Sequence, residues 1–218
     1  MPEAPTILDL VRNGTMSAQM AATLWAAVDA RLSWVIAAVP RLAGKSTVAD
    51  AMLALLPTEV PVHRLSGDEQ EMVGLKQAAT GGYLVVAEVS QAPVPAYIWG
   101  PPVRRVFNTL SAGYSLASAL HAPGREEVFE VICQGNGVTD QDASKIKLLV
   151  YIRRFGDDPD TFWRRVAEVH EIDRVEGGRP VGRLLHRWIE DDDRFEVVET
   201  PRLLQDGPGV LEARIARL

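Results

Sequence analysis

The chain has 218 residues, 47% hydrophobic and 24% charged, with a formal net charge of −6. That is apolar material enough for one sizeable α/β domain, with or without an appendage, and an acidic balance argues against a surface that coats nucleic acid. A lone cysteine, Cys133, excludes an internal disulfide or a multi-cysteine zinc site and reads as a small buried residue on a helix.

The opening stretch lacks the basic and apolar regions of a signal peptide, and no apolar run approaches the ~20 residues that span a bilayer. The expectation is a cytoplasmic protein without direct membrane insertion. Thr6 to Val11 reads as a short helix closed by Asn13-Gly14. Ser17 caps a second helix whose apolar stripe runs through Met20, Leu24 and Val28. Both are expected to cover one face of a sheet.

Trp34 to Val39 is an apolar run of strand character, and Thr47 to Leu56 an amphipathic helix. Between them lie Pro40, Arg41, Leu42, Ala43, Gly44, Lys45, Ser46 and Thr47. Strand, turn, Gly-Lys-Ser and helix is the layout of a phosphate-binding loop. The turn amides, the unpaired N–H groups of the helix and the lysine ammonium converge on one anion, and the Ser46 hydroxyl can hold a Mg²⁺ that bridges phosphate oxygens. Val39 stands where the pattern G-x-x-x-x-G-K-[ST] has its first glycine. A β-branched residue suits a left-handed backbone poorly, and Leu42 is large for its place. The competing reading is a plain helix start with a solvated lysine.

Val60 to Leu65 is a second short strand, followed by Ser66-Gly67-Asp68-Glu69-Gln70-Glu71. Those acids either serve a ligand at a strand end or cap the next helix, with Asp68 as N-cap and Glu71 as its partner. Tyr83 to Glu88 reads as a strand buried on both faces, closed by a carboxylate that is costly there unless it serves a water or a metal. Val94 to Ser111 reads as mostly helical, interrupted or started at Gly100-Pro101-Pro102. Tyr114 to His121 is a further central strand, with His121 at its end as phosphate sensor, proton partner or structural residue.

Arg125 to Gln134 follows as a helix, stopped by Gly135-Asn136-Gly137, and Ile146 to Ile152 as a strand. A turn at Gly156-Asp157-Asp158-Pro159-Asp160 leads to antiparallel strands over Phe162–Ile172, Val181–Trp188 and Phe195–Val198, and Val210–Ala216 is a terminal helix. The acid triplet Asp191-Asp192-Asp193 reads as a solvated hairpin tip in preference to a metal site.

In this order the motifs resemble the nucleotide-binding domain of the type II/type IV secretion and pilus-motor ATPase superfamily. Val39 to Thr47 is similar to that family's G-P-T-G-S-G-K-S/T-T loop, and Ser66-Gly67-Asp68-Glu69 falls where it has an aspartate box. Val85-Val86-Ala87-Glu88-Val89 is similar to its Walker-B strand, Gly113 to Ala122 to its histidine box, and Leu149 to Arg154 to its L-V-x-Q-x-R strand. The likeness spans Leu8 to Ile172. Four features depart from it: Val39; Ser90 and Gln91 after the glutamate; a short gap from Glu71 to Tyr83; and only two short helices ahead of the loop strand, where the family carries a separate N-terminal domain.

The resemblance implies a three-layer P-loop NTPase (RecA-like) α/β domain with a mostly parallel sheet over residues 1–144, and antiparallel strands with a terminal helix over residues 145–218. It implies Mg²⁺ with ATP as ligand, slow hydrolysis, Ser46 and Glu88 toward the metal, and Asp68 or Glu69 with His121 completing the site. Self-association and a secretion or pilus machine as partner come from the family alone. The rival is a non-catalytic regulatory or interaction module on a decayed ATPase scaffold, favoured by Val39, Leu42, Ser90 and Gln91.

Overall fold

The computed structural model describes residues 4–39, 42–156, 162–204 and 208–217. Pro40 and Arg41, and the expected turn at 157–160, lie outside the described residues.

Strand β1 (Ser33–Val39) is the centre of the sheet. Its side chains alternate between two apolar cores: Trp34, Ile36 and Ala38 enter one, Val35 and Ala37 the other. A period of two with both faces apolar is what a strand covered by helices on each side requires. The first core is closed by α1 (Ile7–Arg12), α2 (Ala18–Asp29) and α3 (Lys45–Leu53). The second receives Met72 from α4 (Glu69–Ala78), then α5 (Pro101–Leu110) and α6 (Arg125–Phe129) with the π-helical turn Glu130–Gly135 that continues it, and Ala143 of α7 (Asp140–Ala143).

Caps fix where the first helices start. Thr6 and Asp9 form a reciprocal capping box at α1, and the Ser17 hydroxyl accepts from Met20 N at α2.

The sheet runs β2 (Val62–Arg64), β3 (Gly82–Val89), β5 (Tyr114–Leu120), β1, β6 (Ile146–Phe155), β7 (Trp163–Glu176), β8 (Arg179–Ile189), β9 (Arg194–Val197), with the two-residue β4 (Tyr97–Ile98) beside the end of β3. From β2 through β6 the pairs are parallel; from β6 to β9 they are antiparallel. The result is a mixed α/β fold with a mostly parallel central sheet and antiparallel C-terminal strands.

Some expectations need correction. Tyr97–Ile98 is a strand, not helix, because Gly100 (φ +70°) and Pro101 delay the start of α5. The helix from Arg125 turns π-helical at Glu130. Cys133 sits half-buried in that turn, its thiol pushed up to about 11 by burial. Helix α8 (Pro208–Ile215) begins two residues before the expected start. No helix among the described residues is long and apolar enough to cross a membrane.

Candidate functional site

Parallel strands deliver their C-terminal ends to one edge of the sheet, where open α/β folds present ligand chemistry. The ends of β1, β3 and β5 meet there: Val89 pairs with Leu120, and Leu120 with Ala37. Each strand is followed or closed by one polar residue of interest.

After β1 the chain turns and α3 begins at Lys45. Val39 stays in the strand opposite Arg153, so the sequence concern about a valine needing a left-handed backbone is misplaced. The left-handed positions fall instead on Leu42 (φ +63°) and Gly44 (φ +91°). Gly44 is the N-cap of α3 and supplies no side-chain acceptor. The first N–H groups of the helix therefore keep the dipole's positive end uncapped. Leu42 has 78% of its surface exposed, so the turn is held by backbone and neighbours and not by burial of this side chain.

Lys45 is only 8% exposed although it carries a charge. Its Nζ lies 3.2 Å from Glu88 Oε2 and 3.1 and 3.3 Å from the two ring nitrogens of His121. Glu88 is 5% exposed near the end of β3, and its Oε1 lies 3.4 Å from His121 Nε2. His121 Nδ1 lies 3.2 Å from the Ala38 carbonyl. That oxygen only accepts, so the hydrogen belongs on Nδ1. Nε2 then accepts from Lys45, or donates to Glu88 when the ring is charged. Three groups from β1–α3, β3 and β5 thus form one buried polar knot, reached by a cleft of about 310 Å³ lined by Gly44, Lys45, Ser46, Glu88, Tyr97 and His121, among others. Ser46 is exposed on the first turn of α3 and opens onto the cleft.

The acids after β2 are elsewhere. Asp68 Oδ1 accepts from Gln70 N at 2.7 Å and Glu71 N at 3.3 Å, so it caps α4. Glu71 reaches back to Ser66 N and Oγ. Glu69 faces Arg105 at 3.5 Å. Neither Asp68 nor Glu69 lines the cleft. The helix-capping alternative accounts for Asp68.

One residue was absent from the sequence reading. Arg164 Nη2 donates to the Leu42 carbonyl at 3.2 Å, and its Cδ lies 2.8 Å from where a Cβ on Gly44 would stand. Burial, and then the neighbouring Arg154, lower its pKa below the usual guanidinium range. Both guanidinium groups lie over the Phe162 ring, at 4.5 and 4.6 Å. Arg164 reaches the loop because β7 pairs with β6, a tertiary relation that no local sequence signal announces.

No group of three or more His, Cys, Asp or Glu among the described residues could hold a metal ion by itself. In the acid triplet Asp193 accepts from Arg165 and from Trp188 Nε1 at the β8–β9 tip, which accounts for it without a metal.

No protein-family model matches the chain, and no curated protein matches it. Among solved structures it is similar to the VirB11 ATPase from the Brucella suis type IV secretion system in complex with sulphate. The identity is 16% and the TM-score 0.49, over 78% of this chain and 57% of that one. The chain therefore spans little more than half the length of that protein, and a likeness at this level carries no argument about the site.

Proposed function

We propose that the loop at residues 39–47 binds a nucleoside triphosphate and that the chain is a reduced P-loop ATPase of the secretion and pilus-motor kind. The observation that carries this is the convergence of Lys45, Glu88 and His121, from three separate elements, at the edge where β1, β3 and β5 end. A buried lysine and glutamate beside an open cleft are an expensive arrangement for stability alone.

In this reading Lys45 leaves Glu88 for the β- and γ-phosphate oxygens, joined by the N–H groups of Ala43 to Thr47 and whatever Pro40, Arg41 and Leu42 add to the loop. Glu88, released from the lysine, accepts a proton from the water that attacks the terminal phosphorus. His121 holds Glu88 in place and meets the terminal phosphate. Residues 1–144 supply this core, and residues 145–218 an extension of the same sheet.

Ser46 and Glu88 fit a magnesium ion. Mg²⁺ keeps several waters and takes one or two protein oxygens plus phosphate, so a hydroxyl and a carboxylate on one cleft suffice and no larger acid cluster is needed. When bound, the ion would neutralise charge on the phosphate oxygens. Hydrolysis is expected to be slow, because no arginine is among the described residues that line this cleft and such a group is worth roughly 10³–10⁵ in rate. Asp68 and Glu69 are not carried into this site. A cytoplasmic setting, self-association and a secretion or pilus machine as partner are part of the same proposal.

A second reading, an inert interaction module, is favoured by the closed Lys45–Glu88 pair and the left-handed, exposed Leu42. Thermal melting with millimolar Mg·ATP separates the two. The ATPase reading expects a rise in Tm that Lys45→Ala removes, with phosphate release lost in Glu88→Gln. An unmoved Tm would sink it; a rise without phosphate release would leave a nucleotide binder.

A further inference from the structure

On the face of the sheet away from α3, helices α4 and α5 lie side by side and leave a groove of about 480 Å³ between them. Met72, Val73 and Pro101 give it apolar surface, and Lys76, Arg104 and Arg105 give it three cations. No acid is among the described residues that line it, in a chain whose acids outnumber its lysines and arginines by 29 to 23. It shares no residue with the Lys45 cleft.

The surrounding helices do not use this surface up. The apolar side chains of α5, Val103, Val106, Phe107 and Leu110, all enter the core, which leaves Arg104, Arg105 and Asn108 for the groove. Val73 keeps half of its surface exposed. Arg105 Nη2 lies 3.5 Å from Glu69, but its Nε is buried and meets no acceptor among the described residues. A buried guanidinium N–H without a partner is costly until an acceptor arrives. Two bridges, Glu69 to Arg105 and Lys76 Nζ to Asn108 Oδ1, tie the helices together across the groove and hold its width.

We propose that this groove is the docking site for an acidic amphipathic helix of a partner protein. Each wall is a helix of 10 residues. At about 1.5 Å per residue that is roughly 15 Å, which matches an occupant of about three turns. Apolar side chains at i, i+3, i+4 and i+7 of the occupant cover Met72, Val73 and Pro101. Carboxylates on its flanks meet Lys76, Arg104 and the unpaired Nε of Arg105. The charges select the partner and the apolar floor holds it. Nucleic acid is the poorer match: no aromatic ring is among the described lining residues for a base to stack on, and a net charge of −6 repels a long polyanion.

The test is fluorescence anisotropy of the full chain with a labelled, end-capped peptide of about 14 residues, long enough to populate a helix. It carries leucine at those four positions and glutamate on the flanks; a twin carries lysine for glutamate. The wild type is expected to bind the glutamate peptide and to leave the lysine twin unbound up to about 1 mM. The double variant Lys76→Glu/Arg105→Glu should weaken the glutamate peptide by about tenfold or more and take up the lysine twin, because like charges then face each other. Where the double variant folds poorly, Lys76→Glu and Val73→Asp, each on an exposed side chain, should each weaken the glutamate peptide several-fold. Equal wild-type binding of the two peptides overturns the proposal, as does binding of neither. Unchanged affinity in the variants also overturns it, because the peptide would then sit elsewhere. Tighter binding of an oligothymidylate of about 20 nucleotides, lost in the same variants, would assign the groove to nucleic acid and overturn the protein partner.

Discussion

Two buried ion pairs of the same chemistry stand in different halves of this protein, and their surroundings separate them. Arg183 and Glu171, in the antiparallel half, have side chains 9% and 2% exposed and lie 3.1 Å apart, an ionic contact rather than an aligned hydrogen bond. Glu171 Oε2 also accepts from the backbone N–H groups of Arg202 and Leu203, at 2.8 Å each, and Arg183 reaches Asp173 and Glu199. The charges are consumed in fastening the segment after β9 onto the sheet. Lys45 and Glu88, in the parallel half, have side chains 9% and 7% exposed and face a cleft. Glu88 has a lysine and a histidine around it, both able to turn to an entering anion. A buried pair that backbone amides complete is a fastener; one that borders empty volume is poised for exchange.

The largest effect should come from removing the fastener. Glu171→Ala leaves Arg183 buried and two amides unanswered, and should cost about 3–5 kcal/mol in urea unfolding. Glu88→Gln keeps a side-chain acceptor beside Lys45 in a cleft open to water, and should cost less than Glu171→Gln while abolishing phosphate release. Equal costs for the two would erase the distinction.

A pH titration of stability sharpens the same contrast. His186 on β8 is buried, its Nε2 lies 2.8 Å from Thr23 Oγ1, and burial lowers its pKa to about 4. Its folded pKa lies below the unfolded value of about 6.5, so between these the unfolded chain binds more protons. Stability contributed by the neutral ring is present above pH ~6.5 and is lost as pH falls toward 4, on the order of 3 kcal/mol in all. His186→Gln should flatten that part of the profile, as followed by urea midpoints at each pH. An unchanged slope would remove His186 from the account.

Ligand should act through Lys45 and leave the Arg183–Glu171 fastener untouched. At a hundredfold excess over Kd, Mg·ATP should add about 2.7 kcal/mol to the wild type and nothing to Lys45→Ala. It should add the same increment to a fastener variant that still folds. The smallest effect is expected from Leu42→Gly. A left-handed φ costs a residue with a Cβ roughly 1–2 kcal/mol, and glycine returns about 0.5–1 of that as unfolded-state entropy. The melting midpoint should therefore rise slightly or stay level; a clear fall would show that the leucine side chain supports the loop.

Much of the fold was legible. The apolar runs at Trp34–Val39 and Tyr83–Glu88 mark strands buried on both faces, because only a doubly covered strand can afford no polar side. Thr6 and Ser17 mark helix starts through their own side-chain oxygens. What was hidden depends on partners distant in sequence. Tyr97–Ile98 carries little strand pattern and exists because the end of β3 offers it hydrogen bonds. The acids at 68–71 could not be assigned locally, since capping and ligand binding use the same residue types. Arg164 could not be found at all.

Local chemistry by itself determined the run of strands and helices, the uncapped glycine turn before Lys45 and the polar residues that close β3 and β5, because propensity, capping and period-two burial act between near neighbours. Only the tertiary structure decided which of those polar residues share a site. Parallel pairing in the order β3-β5-β1 draws Glu88 and His121 onto Lys45 and leaves Asp68 and Glu69 aside, and antiparallel pairing of β7 with β6 lays Arg164 against the loop. Strand order is a long-range choice of hydrogen-bond partners, and no stretch of the chain carries it alone.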